Sequence, residues 1–134
     1  MLRVHSDLTR ALDVELTQRH GLTLSSYEVL LFLADSPSGR IRMSELAESV
    51  LLSRSGLTRL VDRLEGDGLI EREHCDDDAR GWFAAITPRG RALFDEARAT
   101  HLEGVRERFL RHYSRAELRV LGELWERVDP GASA

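Results

Sequence analysis

The fold of this chain is decided by residues 53–64, with the sequence SRSGLTRLVDRL. Apolar residues recur there at positions i, i+3, i+4 and i+7, starting at Leu57, and this spacing predicts an amphipathic helix. The Ser53 hydroxyl is suited to cap this helix by accepting a hydrogen bond from the amide near Gly56. The opposite face carries hydroxyls and guanidiniums, which suit phosphate oxygens and the guanine edge in a DNA major groove. An ordinary solvated helix face would have the same pattern, so the flanking sequence has to decide.

A second, shorter helix is predicted just upstream, over residues 43–50, with Met43, Leu46, Ala47 and Val50 on one side. Ala47 is small, as a residue must be where two helices approach closely. Only residues 51 and 52 separate this helix from the Ser53 cap, so the two helices must cross sharply, as in a helix-turn-helix.

The period of the sequence changes after residue 64. Gly66 and Gly68 are expected to end the helix, residues 69–74 are predicted as a strand, and residues 75–81 as a polar turn. Residues 82–86 are predicted as the returning strand, and residues 40–42 as a short third strand beside it. A helix-turn-helix followed by a hairpin is a winged helix-turn-helix. The fold class is therefore expected to be mainly α with a small β hairpin (α+β).

The run from Met43 to Arg91 resembles the multiple-antibiotic-resistance regulator (MarR) family of bacterial transcription factors. The resemblance is carried by SELA at 44–47, TRLVDRL at 58–64, GLIER at 68–72, DAR at 78–80 and ITPRGR at 86–91. One departure is Leu51 in the turn, where the family often has a smaller or polar residue. The resemblance implies a regulator that binds double-stranded DNA, and family members often bind small aromatic or phenolic effectors.

The expected DNA contacts lie on the helix face opposite the apolar stripe and at the tip of the wing. The major-groove helix would read bases and hold phosphates, and the wing arginine would reach the backbone or the adjacent minor groove. Asp62 is expected to orient an arginine by a salt bridge. The DNA-binding residues are predicted to be Ser53, Arg54, Ser55, Thr58, Arg59, Arg63 and, in the wing, Arg80.

Composition is compatible with this interpretation. The 134 residues fit one domain, and 42% hydrophobic and 31% charged residues are typical of a globular protein. The net charge of −4 speaks mildly against nucleic-acid binding, but several arginines cluster around the proposed contact surface. No apolar run approaches the roughly 18 residues of a membrane span, and no signal peptide is recognised. The single cysteine favours a reducing, cytoplasmic location.

Helices are predicted on both sides of the winged unit. The first covers residues 2–20 and ends at Gly21, and a capping box at residues 25–28 opens a strongly apolar helix that should be central to the fold. Thr87 caps a helix expected to run from about Pro88 to Tyr113, and a second capping box, at residues 114–117, opens the last helix.

The apolar stripes of these flanking helices cannot all be buried inside one small domain. A symmetric homodimer is the expected solution, with two recognition helices reading a roughly palindromic operator. The chain is accordingly predicted to be one domain, 1–134, with dimerisation helices at 2–20 and 88–128, a DNA-binding unit at 25–87 and its wing at 69–86.

No catalytic set, cofactor motif or metal site is expected. His74 and Cys75 are adjacent at the end of the predicted strand, where neighbouring side chains point to opposite faces, so the two cannot easily share an ion. Cys75 at the base of the wing is an alternative redox sensor, although its acidic neighbours blunt its reactivity. His5, Tyr27 and Phe32 are candidate effector-binding residues in the cleft that the resemblance implies. The competing interpretation is that these side chains only pack in the core.

The sequence thus predicts a homodimeric winged-helix transcription regulator that acts as a repressor and is released from its operator by a small-molecule effector. It is not expected to be an enzyme. The alternative is a winged-helix protein-interaction module that has lost DNA affinity, for which the net acidity is the only argument.

Overall fold

A computed structural model describes residues 1–50, 52–74 and 81–131 of the chain. Within these residues six α-helices and a three-stranded antiparallel sheet follow the predicted order. The elements are α1 (Leu2–His20), α2 (Leu24–Asp35), β1 (Arg40–Arg42), α3 (Met43–Ser49), α4 (Arg54–Gly66), β2 (Ile70–His74), β3 (Trp82–Ile86), α5 (Pro88–Arg108) and α6 (Arg115–Val128). The winged helix-turn-helix predicted from the sequence is confirmed.

Helix α1 is packed partly inside the chain, although it was predicted from the sequence as a dimerisation helix. Leu12 and Leu16 are buried, and α1 lies against α5 and α2. The helix ends at Gly21, whose φ of 68° is the left-handed conformation expected there. Leu2, Val4 and Val14 of this helix are exposed, so its outer side remains available for contact with another surface.

The start of helix α2 corrects the predicted capping box at residues 25–28. The N-cap is Thr23, whose hydroxyl oxygen accepts a hydrogen bond from the Ser26 amide at 3.1 Å. The Leu24 amide donates to an Asp13 carboxylate oxygen of α1 at 2.7 Å, so the first turn is also held by a neighbouring helix. The predicted central position of α2 is confirmed, because Val29, Leu30 and Leu33 are completely buried.

The helix-turn-helix is built from α3 and α4. Leu46 is completely buried between α3 and the rest of the core, and Val50 follows it at the turn. The predicted stripe of α4 is buried as well, from Leu57 to Leu64. The helix ends with the Leu69 amide bonded to the Leu64 carbonyl and Gly68 at a φ of 75°, an arrangement that satisfies the last carbonyls. The departure at Leu51 lies outside the described residues.

The wing is the antiparallel pair β2 and β3, and the predicted third strand β1 pairs with the other side of β3, giving the order β1-β3-β2. Ile70 and Ala84 are buried on its inner face. Residues 75–80, which include Cys75 and Arg80, lie outside the described residues. The sensor and wing-tip roles given to these two residues therefore stay predictions.

Helix α5 starts where the wing ends. Thr87 caps it by accepting from the Gly90 amide at 3.0 Å, and its hydroxyl donates to the Gly68 carbonyl at 2.6 Å. A Cβ at Gly90 would overlap the Leu69 carbonyl oxygen and lie 3.0 Å from the carbonyl carbon, so only glycine fits this joint. The predicted end near Tyr113 is wrong: the helix stops at Arg108 because Phe109 leaves helical geometry, with φ −129° and ψ −63°.

Helix α6 begins with the predicted capping box between Ser114 and Glu117. The hydrogen bonds from Ser114 hold the pKa of the Glu117 carboxyl below its ordinary value. None of the residues of this helix is buried. Val120, Leu124, Trp125 and Val128 are exposed in the single chain. No described helix is long and apolar enough to cross a membrane.

Candidate nucleic-acid interface

The exposed face of α4 and its cap carry six of the seven predicted DNA-binding residues. Ser53 caps the helix, with its Oγ accepting from the Gly56 amide at 3.1 Å. Since the free amides of a helix N-terminus carry partial positive charge, this end attracts anions. All six residues predicted on this helix and its cap are exposed, namely Ser53, Arg54, Ser55, Thr58, Arg59 and Arg63.

Local hydrogen bonds set the starting positions of these side chains. The Thr58 hydroxyl donates to the Arg54 carbonyl at 2.9 Å, and Arg59 Nε makes a long 3.4 Å contact with the Ser55 carbonyl. The hydroxyls of Ser53 and Ser55 are 3.2 Å apart. These are bonds within one helical turn, which an incoming phosphate or base edge can replace without unfolding anything.

The charge of this surface is unlike that of the whole chain. Arg54, Arg59 and Arg63 form no ion pair with any residue in the described ranges. Other arginines are neutralised, such as Arg40 by Glu73 at 3.0 Å and Arg108 by Glu15 at 2.7 Å. The α4 face is therefore locally cationic although the net charge is −4, and the electrostatic objection to DNA binding disappears.

Arg72 of β2 also lies at this surface, although no role was predicted for it from the sequence. Its guanidinium Nη2 donates to Asp62 Oδ1, so Asp62 does orient an arginine, as predicted, and Arg72 is its partner. The strand alternation that buries Ile70 puts Arg72 on the same face. The two-residue spacing of Ile70 and Arg72 in the predicted strand could therefore have placed Arg72 on the face that packs toward α4.

A groove of about 810 Å³ separates the start of α3, the exposed side of α4 and the wing. Thr58 and Arg72 line it together with Trp82, whose side chain is 47% exposed.

The candidate effector residues occupy different environments. Tyr27 is buried, stacks on Phe94 with ring centroids 5.4 Å apart and packs at a tilt against His101 with centroids 4.6 Å apart. Burial raises the pKa of its phenol. Phe32 is half-buried against the core, whereas His5 is exposed on α1. Core packing accounts for Tyr27 and Phe32, and an effector role for the three residues stays a prediction.

His101 of α5 lies next to Tyr27 of α2, where the two helices pack. Its Nδ1 atom is buried and has no hydrogen-bond partner within the described ranges. Burial lowers the pKa of this imidazole, and the Glu15 carboxylate works in the opposite direction. The ring is thus favoured in its neutral form, because burial penalises the charged imidazolium.

Comparisons with known proteins agree with this geometry. The model of the MarR family matches residues 20–81. AbsC, a MarR family transcriptional regulator from Streptomyces coelicolor, is 34% identical with a TM-score of 0.89, covering 95% of this chain and 85% of its own. Sco3205, another from that organism solved in complex with DNA, is 33% identical with a TM-score of 0.91, covering 97% of this chain and 82% of its own.

The homoprotocatechuate degradative operon repressor of Escherichia coli is 32% identical over 92 residues, or 69% of this chain. The chain spans 61% of the length of that repressor. The two Streptomyces regulators, in contrast, match almost the whole chain and most of their own length. With the winged helix-turn-helix in place and a third of its residues shared with them, the chain belongs to the MarR family of transcriptional regulators.

Proposed function

We propose that this chain is a sequence-specific DNA-binding regulator that acts as a homodimeric repressor on a palindromic operator. The observation that carries the proposal is the exposed, unneutralised α4 face. Arg54, Arg59 and Arg63 lie there without a carboxylate partner among the described residues. The related regulator Sco3205 was solved in complex with DNA, which is what such a face would bind.

The division of labour follows the fold. The unit at residues 25–87 contacts DNA, with α4 in the major groove and Arg80 of the wing at the backbone or minor groove. The elements at 2–20 and 88–128 hold two copies together. The outward apolar side chains of α6 support this assignment, since Val120, Leu124, Trp125 and Val128 are all more than two-fifths exposed in the single chain.

Repression would be steric. The dimer occupies a promoter, and a small aromatic or phenolic effector changes the spacing of the two recognition helices so that both half-sites cannot be engaged together. A regulator of this kind works in the bacterial cytoplasm and catalyses no reaction. No cofactor enters this mechanism.

The experiment is selection of genomic fragments by the purified protein at near-physiological salt, followed by sequencing. We expect one inverted repeat whose half-site centres are about 34–36 Å apart. With Arg54 and Arg63 of α4 on the backbone in each of two protomers, four phosphate contacts would give a slope of log affinity against log salt of about −3.6. Fragments without a shared sequence, or affinity independent of salt, would refute the proposal.

Arg59→Ala tests the surface directly. Loss of a bidentate base contact costs about 1–3 kcal/mol per half-site, so the operator should be bound at least tenfold more weakly while the protein stays dimeric. The matched control is Arg119→Ala on α6, whose side chain is 77% exposed. If Arg59→Ala bound as tightly as the wild type, α4 would not be the reading element.

A further inference from the structure

Arg72 is held at both of its ends by helix α4. Its guanidinium Nη2 donates to Asp62 Oδ1 and to the Thr58 carbonyl oxygen at 3.4 Å. Its backbone amide donates to Glu65 Oε2 at 3.1 Å. The Arg72 side chain is 25% exposed, so most of it is enclosed between strand β2 and the helix. These contacts are called the α4–wing clamp below.

The clamp provides a hydrogen-bond partner for a backbone amide at the edge of the sheet. In the order β1-β3-β2, strand β2 is an edge strand, and edge strands have amide groups that need a partner. Glu65 supplies one for the Arg72 amide. Asp62 and Glu65 are three residues apart and so lie on one side of α4. Two carboxylates of the recognition helix thus hold one residue of the wing, by its side chain and by its backbone.

The clamp also changes the charge that DNA would meet. Asp62 lies between Arg59 and Arg63 in the sequence of α4, and its side chain is 54% exposed. A free carboxylate there would repel phosphates. The Arg72 guanidinium neutralises it, and in doing so Arg72 is itself withdrawn from the surface.

We propose that Arg72 is a positioning residue for operator binding. It fixes the wing relative to α4, so that the major-groove helix and the wing engage DNA together, and it cancels the charge of Asp62. The inference rests on the proposed function, but the clamp itself can be tested without DNA.

The decisive variants are Arg72→Gln and the double variant Asp62→Asn with Arg72→Gln, examined by operator affinity and hydroxyl-radical footprinting. Arg72→Gln should bind at least tenfold more weakly, keep protection at the half-site centre and lose it at the flank reached by the wing. The double variant should recover part of the affinity because the unpaired carboxylate is gone. A merely structural role would leave the double variant no better than the single one.

The matched control is Arg40→Gln. Arg40 pairs with Glu73 at 3.0 Å and so bridges β1 to β2 within the sheet. This variant should keep the wild-type flank protection. A wild-type footprint for Arg72→Gln, or a loss of flank protection in Arg40→Gln as large as that in Arg72→Gln, would overturn the proposal.

Hydrogen exchange of the Arg72 amide separates this inference from the proposed function. Without DNA, the amide should be protected in the wild type and exchange at least tenfold faster in Glu65→Ala. An unprotected amide in the wild type would overturn the clamp. A protected amide in a protein that selects no DNA sequence would instead refute the proposed function and leave the clamp as a structural contact.

Discussion

Trp125 provides the sharpest test of the proposed dimer. Its side chain is 43% exposed on helix α6, none of whose residues is buried in the single chain. If α6 packs against a second copy, truncation to alanine should weaken that association and leave the fold of each chain intact. Trp82 on the wing is the matched control, because it is the same residue type with 47% of its side chain exposed.

The magnitude follows from the area still available for burial. A tryptophan buries up to about 250 Å², so 43% exposure leaves about 100 Å² to be covered. At about 25 cal/mol per Å² this is about 2.5 kcal/mol in each protomer and about 5 kcal/mol in a twofold dimer. Only part of such an area appears as affinity, and half of it corresponds to a weakening of the dimer by roughly 70-fold.

Sedimentation velocity over a dilution series measures this directly. We expect Trp125→Ala to dissociate at protein concentrations at least tenfold higher than the wild type, whereas Trp82→Ala dissociates where the wild type does. Thermal unfolding of both variants checks that the chains are folded. An unchanged dimerisation constant for Trp125→Ala would show that α6 does not form the interface.

Three further outcomes are expected. Gly90→Ala should destabilise the protein by about 1–3 kcal/mol, because the added Cβ would overlap the Leu69 backbone. Gly66→Ala should be neutral or stabilising, because a Cβ there would meet nothing within 4 Å. Urea denaturation measures the stability of both variants. Ser53→Ala should cost about 1 kcal/mol by loss of the α4 cap, read from the same denaturation curves. The pKa of His101 is lowered by burial, so its contribution to stability is complete above the unfolded-state pKa near 6.5 and is lost as pH falls below it. His101→Phe should therefore flatten the decline in melting temperature between pH 7 and pH 5, and an equally steep decline would contradict this.

Local signals explain what the sequence predicted well. The α4 stripe, the Ser53 cap and the Gly68 stop all depend on residues within one or two helical turns. The same holds for the Ser114 capping box. The cluster of exposed hydroxyls and arginines follows directly from this helix, so the surface of the candidate site could be predicted along with the fold.

Contacts that no periodic pattern in the sequence reveals explain what was missed. The N-cap of α2 is Thr23, two residues before the predicted cap at Ser25. The Asp13 carboxylate of α1 stabilises this earlier start by accepting a hydrogen bond from the Leu24 amide. Helix α5 ends without a glycine or proline, at a point where Phe109 packs on Tyr113 with ring centroids 5.2 Å apart. The role of Arg72 depends on a partner ten positions away.

The joint at Thr87 makes α5 a lever. The Thr87 side chain bonds to Gly68 at the end of the recognition helix, and its amide donates to the Leu69 carbonyl at 3.1 Å. Helix α5 begins directly after Thr87, and its 21 residues span about 31 Å. A tilt of about 5° at the wing base would therefore displace the far end by nearly 3 Å over that length. Conversely, a displacement of the far end of α5 would rotate the Thr87 joint, and with it the end of the recognition helix, by a small angle.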